Sequence, residues 1–363
     1  MRKLPRSSAE WPRSPRSSAR PAPRSIAKPD TNAQHQDGRT FRTIIVKLSA
    51  PFIQLPLHFD AAVLADEVHA LGEAPWKPHP QGFAGNSMLP LVAVDGDPDN
   101  EAFAGPMAPT PALAACPYLQ QVFAAVGATI GRSRLMRLSG QAEVTRHVDQ
   151  GYYWVERVRI HVPIVTQPTV RFDCGDETVN MAAGECWIFD TWRQHRVLND
   201  ADRPRIHLVI DTVGGSRFWD LVAAGRASAH KGGPWQAVPM PPSSVAPVFP
   251  CETVNVPVVM SPWEMRAHFD LLFADTLPHP ALPRLRMLTS RFQHAWRGLW
   301  FRYGDAIETR SHYAPVLKAY IEEARVLAQG VMLANEIRWL NAMMTMVARF
   351  AAGELGGGGR PMA

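Results

Sequence analysis

From Ser133 to Asp211 the chain is a succession of short segments in which apolar and polar residues alternate: SRLMRL, ERVRIHVPIV, VRFDC, ECWIFD and RIHLVID. Turn sequences such as CGDE and NDADRP divide them. Period-two alternation puts one set of side chains on each face of an extended strand. Several such strands in succession fold into an antiparallel sandwich or barrel. Before this region, the ordered body is expected to begin at Thr43 with the strand-like TIIVKL, followed by a helix over 59–71, where apolar residues recur at helical spacing. After it, residues 216–260 are Pro-rich and read as a linker or wrapped arm. Helical periodicity then runs over 263–275, 283–303, 314–329 and 333–350. The last of these carries Ile337, Leu340, Met344 and Val347 on one face, expected to pack internally, with a homodimer seam as the alternative.

The formal charge of +5 would suit a nucleic-acid binder if it were spread over the body. It is not. Residues 1–42 hold ten Lys/Arg against three Asp/Glu, so the remaining residues are net acidic by two charges. This Arg/Ser/Pro segment has too little apolar surface to offset its ordering entropy and is expected to be a disordered tail. The domain reading is therefore a basic tail over 1–42, a β domain over 43–215, the Pro-rich arm over 216–260, a helical domain over 261–355 and a flexible Gly-rich end over 356–363. No apolar run is long enough to span a bilayer, so neither nucleic acid nor membrane is an expected partner. Four cysteines without a C-x-x-C pair read as reduced thiols of a cytoplasmic protein.

The chemistry is concentrated in TRHVDQGYYW and, further on, WRQHRVLNDADRPRIHLVID. On an extended segment His147 and Asp149 face the same way, and His195 opens another strand. An imidazole, a carboxylate and a second imidazole form the 2-His-1-carboxylate set that holds Fe(II) on one octahedral face and leaves adjacent positions open for oxygen chemistry. The NDADRP turn is expected to fold VLN back on RIHLVID as a hairpin, bringing Arg205 towards the metal, where a guanidinium can hold a carboxylate bidentately. Alternation sets Arg205, His207, Val209 and Asp211 against Ile206, Leu208 and Ile210, and Arg157, Arg159 and His161 against Val158, Ile160 and Val162. Inward cations on a core strand call for anionic ligands or for Asp/Glu neighbours. Tyr152, Tyr153, Trp154, Trp192 and Arg193 flank the ligand segments and read equally as a substrate cleft or as core.

The motifs GRSRLMRL, HVDQGYYW, RIHVPIVT, GDETVNMAAGECWIFD, H-R-V-x-N and RIHLVIDTVG together resemble the catalytic core of the aspartyl/asparaginyl β-hydroxylase family of Fe(II)/2-oxoglutarate dioxygenases. The likeness covers about 130–214, with LPL at 89–91. It implies a double-stranded β-helix, jelly-roll or cupin-like, mainly β with α, to which the C-terminal helical region is added. It implies His147 and His195 as iron ligands and Arg205 as the anchor of the distal carboxylate of 2-oxoglutarate. Arg159 and His161 match residues that contact co-substrate or substrate, and O2 is the second co-substrate. Animal members have glycine where this chain has Asp149, so the ligand set looks complete, as in bacterial relatives that hydroxylate free amino acids. Where relatives carry a Pro-Gly turn this chain has SGQAEV, so no co-substrate contact transfers to Ser139. The implied reaction couples decarboxylation of 2-oxoglutarate to succinate and CO2 with hydroxylation of an amino acid or of a peptide or protein side chain. Tyr153, Trp154 and Arg193 are the expected substrate contacts, with Arg159 or Arg193 as carboxylate clamp. The other reading is a cupin-like protein that binds a metal or small acid without turnover.

Overall fold

A computed structural model describes residues 48–80, 82–230, 232, 234–245 and 247–353. The basic tail, the Gly-rich end and all of TIIVKL except Leu48 lie outside these residues. Two sheets face each other. The larger runs, edge to edge, through Arg226–Ala227, Phe52–Phe59, Glu185–Phe189, Val158–Val165, Arg205–Gly214, Thr129–Leu138, Asn86–Val94 and Lys77–Pro78. The smaller contains Ala142–His147, His195–Asn199, Val170–Cys174 and Glu177–Val179 in that order. All these pairings are antiparallel, and the architecture is a double-stranded β-helix.

Alternation divides each strand of the larger sheet between two cores. Ile160, Leu208 and Ile210 point outward and are fully buried under helices Ala61–Ala70, Pro117–Ala125 and Ser216–Ala224, which contribute Leu64, Phe123 and Phe218. Burying each such side chain stabilises the fold by about 1.5–3 kcal/mol. Between the sheets, Phe52, Phe189 and Trp187 meet Phe172 and Val197 of the smaller sheet, with Phe52 and Phe172 edge-on at 5.6 Å. Asp60 caps the first of the outer helices by accepting from the backbone N–H groups of Ala62 and Val63.

The NDADRP turn is not a hairpin. His195–Asn199 pairs in the smaller sheet with Ala142–His147 and Val170–Cys174, whereas Arg205–Gly214 pairs in the larger sheet with Thr129–Leu138 and Val158–Val165. Both edges of each strand are therefore already taken, and the turn carries the chain from one sheet to the other. The Asn199 side chain holds this crossing by donating to the carbonyls of Leu138, Ser139 and Arg203. Arg205 reaches the space between the sheets by this crossing rather than by a fold-back.

The segment 216–260 opens with the helix Ser216–Ala224 and continues along the β domain, where Glu252 forms a buried ion pair with Arg157 at 2.7 Å. The C-terminal region packs helices Pro262–Ala274, Leu282–Tyr303 and Ala314–Leu327 around Phe269, Phe292, Trp296 and Trp339. Ser261 and Glu264 start its first helix with the S-x-x-E signature, Ser261 accepting from the Glu264 N–H. The expected helix over 333–350 is shorter: it spans Trp339–Met343 and widens to a π-turn over Met344–Ala348. Upstream, Glu336 has φ 70, outside the helical region, and the Asn335 side chain donates to Trp192 O instead of joining a helix. The buried face is accordingly Trp339, Ala342, Met343, Met346 and Val347, while Ile337, Leu340 and Met344 are half-buried against it. Asn335 also accepts from Gln194 through its carbonyl, tying the helical region to the β domain. Asn335→Ala should cost about 1–3 kcal/mol of stability in urea denaturation, because the buried Trp192 carbonyl loses the Asn335 side-chain donor. No helix among the described residues is long and apolar enough to cross a membrane.

Candidate active site

His147 ends the strand Ala142–His147 and His195 opens the strand His195–Asn199, and the two residues are directly paired across the smaller sheet. Their rings lie 4.2 Å apart. Asp149 follows on the loop, its N–H fixed by Thr191 O at 3.1 Å. One ligand atom from each of the three residues falls within 4.8 Å of the others. Asp149 Oδ1 is 3.8 Å from His147 Nε2, and Asp149 Oδ2 is 3.9 Å from His195 Nε2.

The second layer decides which nitrogens are available. His147 Nδ1–H donates to Thr145 O at 2.7 Å, and His195 Nδ1–H donates to Arg193 O at 2.9 Å. A carbonyl only accepts, so Nδ1 carries the proton in each neutral ring and both Nε2 lone pairs face Asp149. Burial pulls the His195 imidazole down to about 4, which keeps it neutral. Burial works against the Asp149 carboxylate, yet neighbouring positive charge, Arg159 first, holds its pKa below the usual value. Two imidazoles with Nε2 turned inward and one ionised carboxylate, each oriented from behind, form a donor set that fits a divalent first-row metal with open positions. The cluster therefore fits Fe(II).

Arg159 is held by carboxylate neighbours. Its Nη1 donates to Asp149 Oδ2 at 2.8 Å, its Nε donates to Asp211 Oδ1 at 3.0 Å, and its guanidinium lies 4.2 Å from the centre of the Trp154 ring. It is thus engaged by two carboxylates, and only Nη2 is buried without a partner. Arg205 differs. It is 3% exposed and has no carboxylate partner among the described residues; its Nη2 donates to His207 Nδ1 at 2.6 Å, and its Nε has no partner. Burial lowers its pKa to about 9. His161 Nδ1 lies 3.4 Å from the same His207 nitrogen, and Nε2 of both histidines is buried without a partner. The unpaired Nε–H of Arg205 on the cavity wall fits a carboxylate-bearing co-substrate such as 2-oxoglutarate.

A cavity of about 840 Å³ joins the three-residue cluster, Arg159, His161 and Arg205. Tyr153 and Trp154 line it, but much of Tyr153 is committed to support: its hydroxyl accepts from the Arg132 N–H, and Arg157 sits 3.9 Å over its ring. Arg193 does not line the cavity; its Nε donates to Asp190 Oδ2 at 3.1 Å, away from a substrate-clamp position. Residues that sequence reasoning missed complete the wall. Arg132 and Arg134 alternate with buried Ser133 and Leu135, the same inward-cation pattern that singled out Arg157 and Arg159. Asn341, Met344, Thr345 and Phe350 bring the C-terminal region onto the cavity, a contact between distant segments without any local signal.

Residues 103–214 match the family described as aspartyl/asparaginyl beta-hydroxylase. No curated protein matches the chain. Among solved structures, an oxidoreductase of the 2OG-Fe(II) oxygenase family from Burkholderia pseudomallei is 14% identical, with a TM-score of 0.32 over 46% of this chain and 87% of its own. A prolyl-4-hydroxylase from Pseudomonas putida is 19% identical, with a TM-score of 0.30 over 45% of this chain and 92% of its own. A cupin domain from Bordetella pertussis Tohama I is 17% identical, with a TM-score of 0.19 over 22% of this chain and 79% of its own.

Proposed function

We propose that the protein is an Fe(II)- and 2-oxoglutarate-dependent dioxygenase that hydroxylates an unactivated C–H bond of an amino acid, or of an Asp/Asn-type side chain in a peptide or protein, with release of succinate and CO2. The observation that carries this reading is the sharing of one cavity by the His147–Asp149–His195 cluster and the carboxylate-free Arg205. The family match over 103–214, which contains all four residues, supports it.

Bound iron with 2-oxoglutarate and O2 would supply the oxidising chemistry; the residues hold, orient and exclude water. His147 and His195 would hold the metal through Nε2, with Thr145 O and Arg193 O fixing the rings. Asp149 would supply the third ligand, its carboxylate prevented from rotating by Arg159. Arg205 would take the distal carboxylate of 2-oxoglutarate, and His207 fixes the guanidinium plane. His161, on the same cavity wall, would touch the co-substrate or substrate beside it. Tyr153 and Trp154 would wall the substrate side, excluding water from the reacting carbon.

Anaerobic addition of Fe(II) and then 2-oxoglutarate is expected to produce the visible charge-transfer band of a 2-oxo acid chelated to iron. In Arg205→Ala the band should survive but need about 10–100-fold more 2-oxoglutarate, since a buried charge-assisted pair is lost. No band from folded protein at saturating 2-oxoglutarate would overturn the reading and leave a cupin-like binder of a metal or small acid.

A further inference from the structure

Arg132 and Arg134 both line the cavity from the strand Thr129–Leu138, and they are 6% and 8% exposed. Among the described residues neither guanidinium has an ion pair or a hydrogen bond; Arg132 has only the Phe103 ring, 4.6 Å away. A buried cation without a counter-ion is costly, and two on one strand face is a cost that a globular core avoids. Burial lowers the pKa of both, that of Arg134 to about 9.

The strand register separates this pair from Arg205. Arg205 stands opposite Leu138, whereas Arg134 stands opposite Val209, which pairs in turn with His161; Arg159 pairs with Asp211 beyond that. Along the strand, Arg134 is four residues from the Arg205 level, or roughly 13 Å, and Arg132 is further still. The register thus sets both arginines apart from the level of the Arg205 anchor, Arg132 furthest.

Charge balance points the same way. With a divalent ion and the 2-oxoglutarate dianion in place, Arg159, Arg205 and the ion balance Asp149, Asp211 and the dianion. Arg132 then has Glu101 on the cavity wall, whereas the carboxylates nearest Arg134, Asp149 and Asp211, are those that Arg159 already holds. Phe103, Trp154, Met344 and Phe350 give the same cavity apolar wall.

We infer that Arg132 and Arg134 form a second anion subsite, distinct from Arg205, and that the substrate is an acid with an apolar body whose charged group they hold while a C–H bond faces the His147–Asp149–His195 cluster. The inference deepens the proposed function and rests on it, but its test does not need turnover. Metal-free protein is titrated by calorimetry with 3-phenylpropionate and with its neutral amide. The acid should bind about tenfold or more tightly than the amide. Arg132→Gln/Arg134→Gln should abolish that preference, Arg132→Lys/Arg134→Lys should restore part of it, and Arg205→Gln should leave it intact. Independently of any ligand, the Gln pair should raise the melting temperature of the metal-free protein at low salt. Phenyl phosphate binding more tightly than the carboxylate would support the subsite and assign it to a phosphoester. No binding of either acid, equal binding of acid and amide, or a preference lost only in Arg205→Gln would overturn it. A missing charge-transfer band beside intact acid binding would instead sink the hydroxylase reading.

Discussion

His195→Ala and His147→Ala are expected to give no Fe(II)/2-oxoglutarate charge-transfer band and to lose turnover by on the order of 10³-fold or more, roughly 4 kcal/mol of transition-state stabilisation. The geometry makes the loss steep. The three ligand atoms lie within 4.8 Å of one another, and each is fixed from behind, so removing one leaves the others unable to close on the ion. The fold should survive, because His147 and His195 sit at strand ends whose pairing is made by backbone groups. His294→Ala, an exposed substitution on the helix Leu282–Tyr303, serves as the control that leaves band and turnover unchanged. Circular dichroism on the same samples separates loss of ligation from loss of structure. A normal band in either ligand variant would remove the metal assignment.

The legible parts of the molecule are those whose signal is local. Period-two alternation in RIHLVID fixed which side chains face the cavity and which the helices: Val209 lines the cavity while Leu208 and Ile210 are in the outer core. H-x-D placed an imidazole and a carboxylate together because the strand geometry is short-range. The NDADRP turn failed because a hairpin and a sheet-to-sheet crossing use the same turn residues, and only the partners of the flanking strands tell them apart. The strand Asn86–Val94, NSMLPLVAV, was hidden apart from its LPL core because it is buried on both faces and so reads as a continuous apolar run. The contribution of Met344 and Phe350 to the cavity had no local signal, since it depends on how the C-terminal region docks across Tyr152 and Trp192. Arg159 was legible as an inward cation, but its partners Asp149 and Asp211 come from two other segments.

Those partners make Arg159 the second large prediction. Arg159→Leu is expected to destabilise the metal-free protein by about 3–5 kcal/mol in urea unfolding, because it strands two buried carboxylates, Asp149 and Asp211, that are 3% and 1% exposed. Arg159→Lys should recover only part of this, since one ammonium cannot reproduce the separate Nη1 and Nε bonds to the two carboxylates. A divalent ion should recover part of the loss in Arg159→Leu, by taking the charge of Asp149 but not that of Asp211. The sign of the effect distinguishes two roles that a sequence cannot separate. A guanidinium reserved for a substrate carboxylate is an uncompensated buried cation in the free protein, so its removal stabilises; this is the expectation for Arg132 and Arg134. A guanidinium already spanning two carboxylates is part of the framework, so its removal destabilises even with no ligand present. Arg159 falls in the second group by its distances, and an Arg159→Leu protein as stable as the wild type would return it to the first.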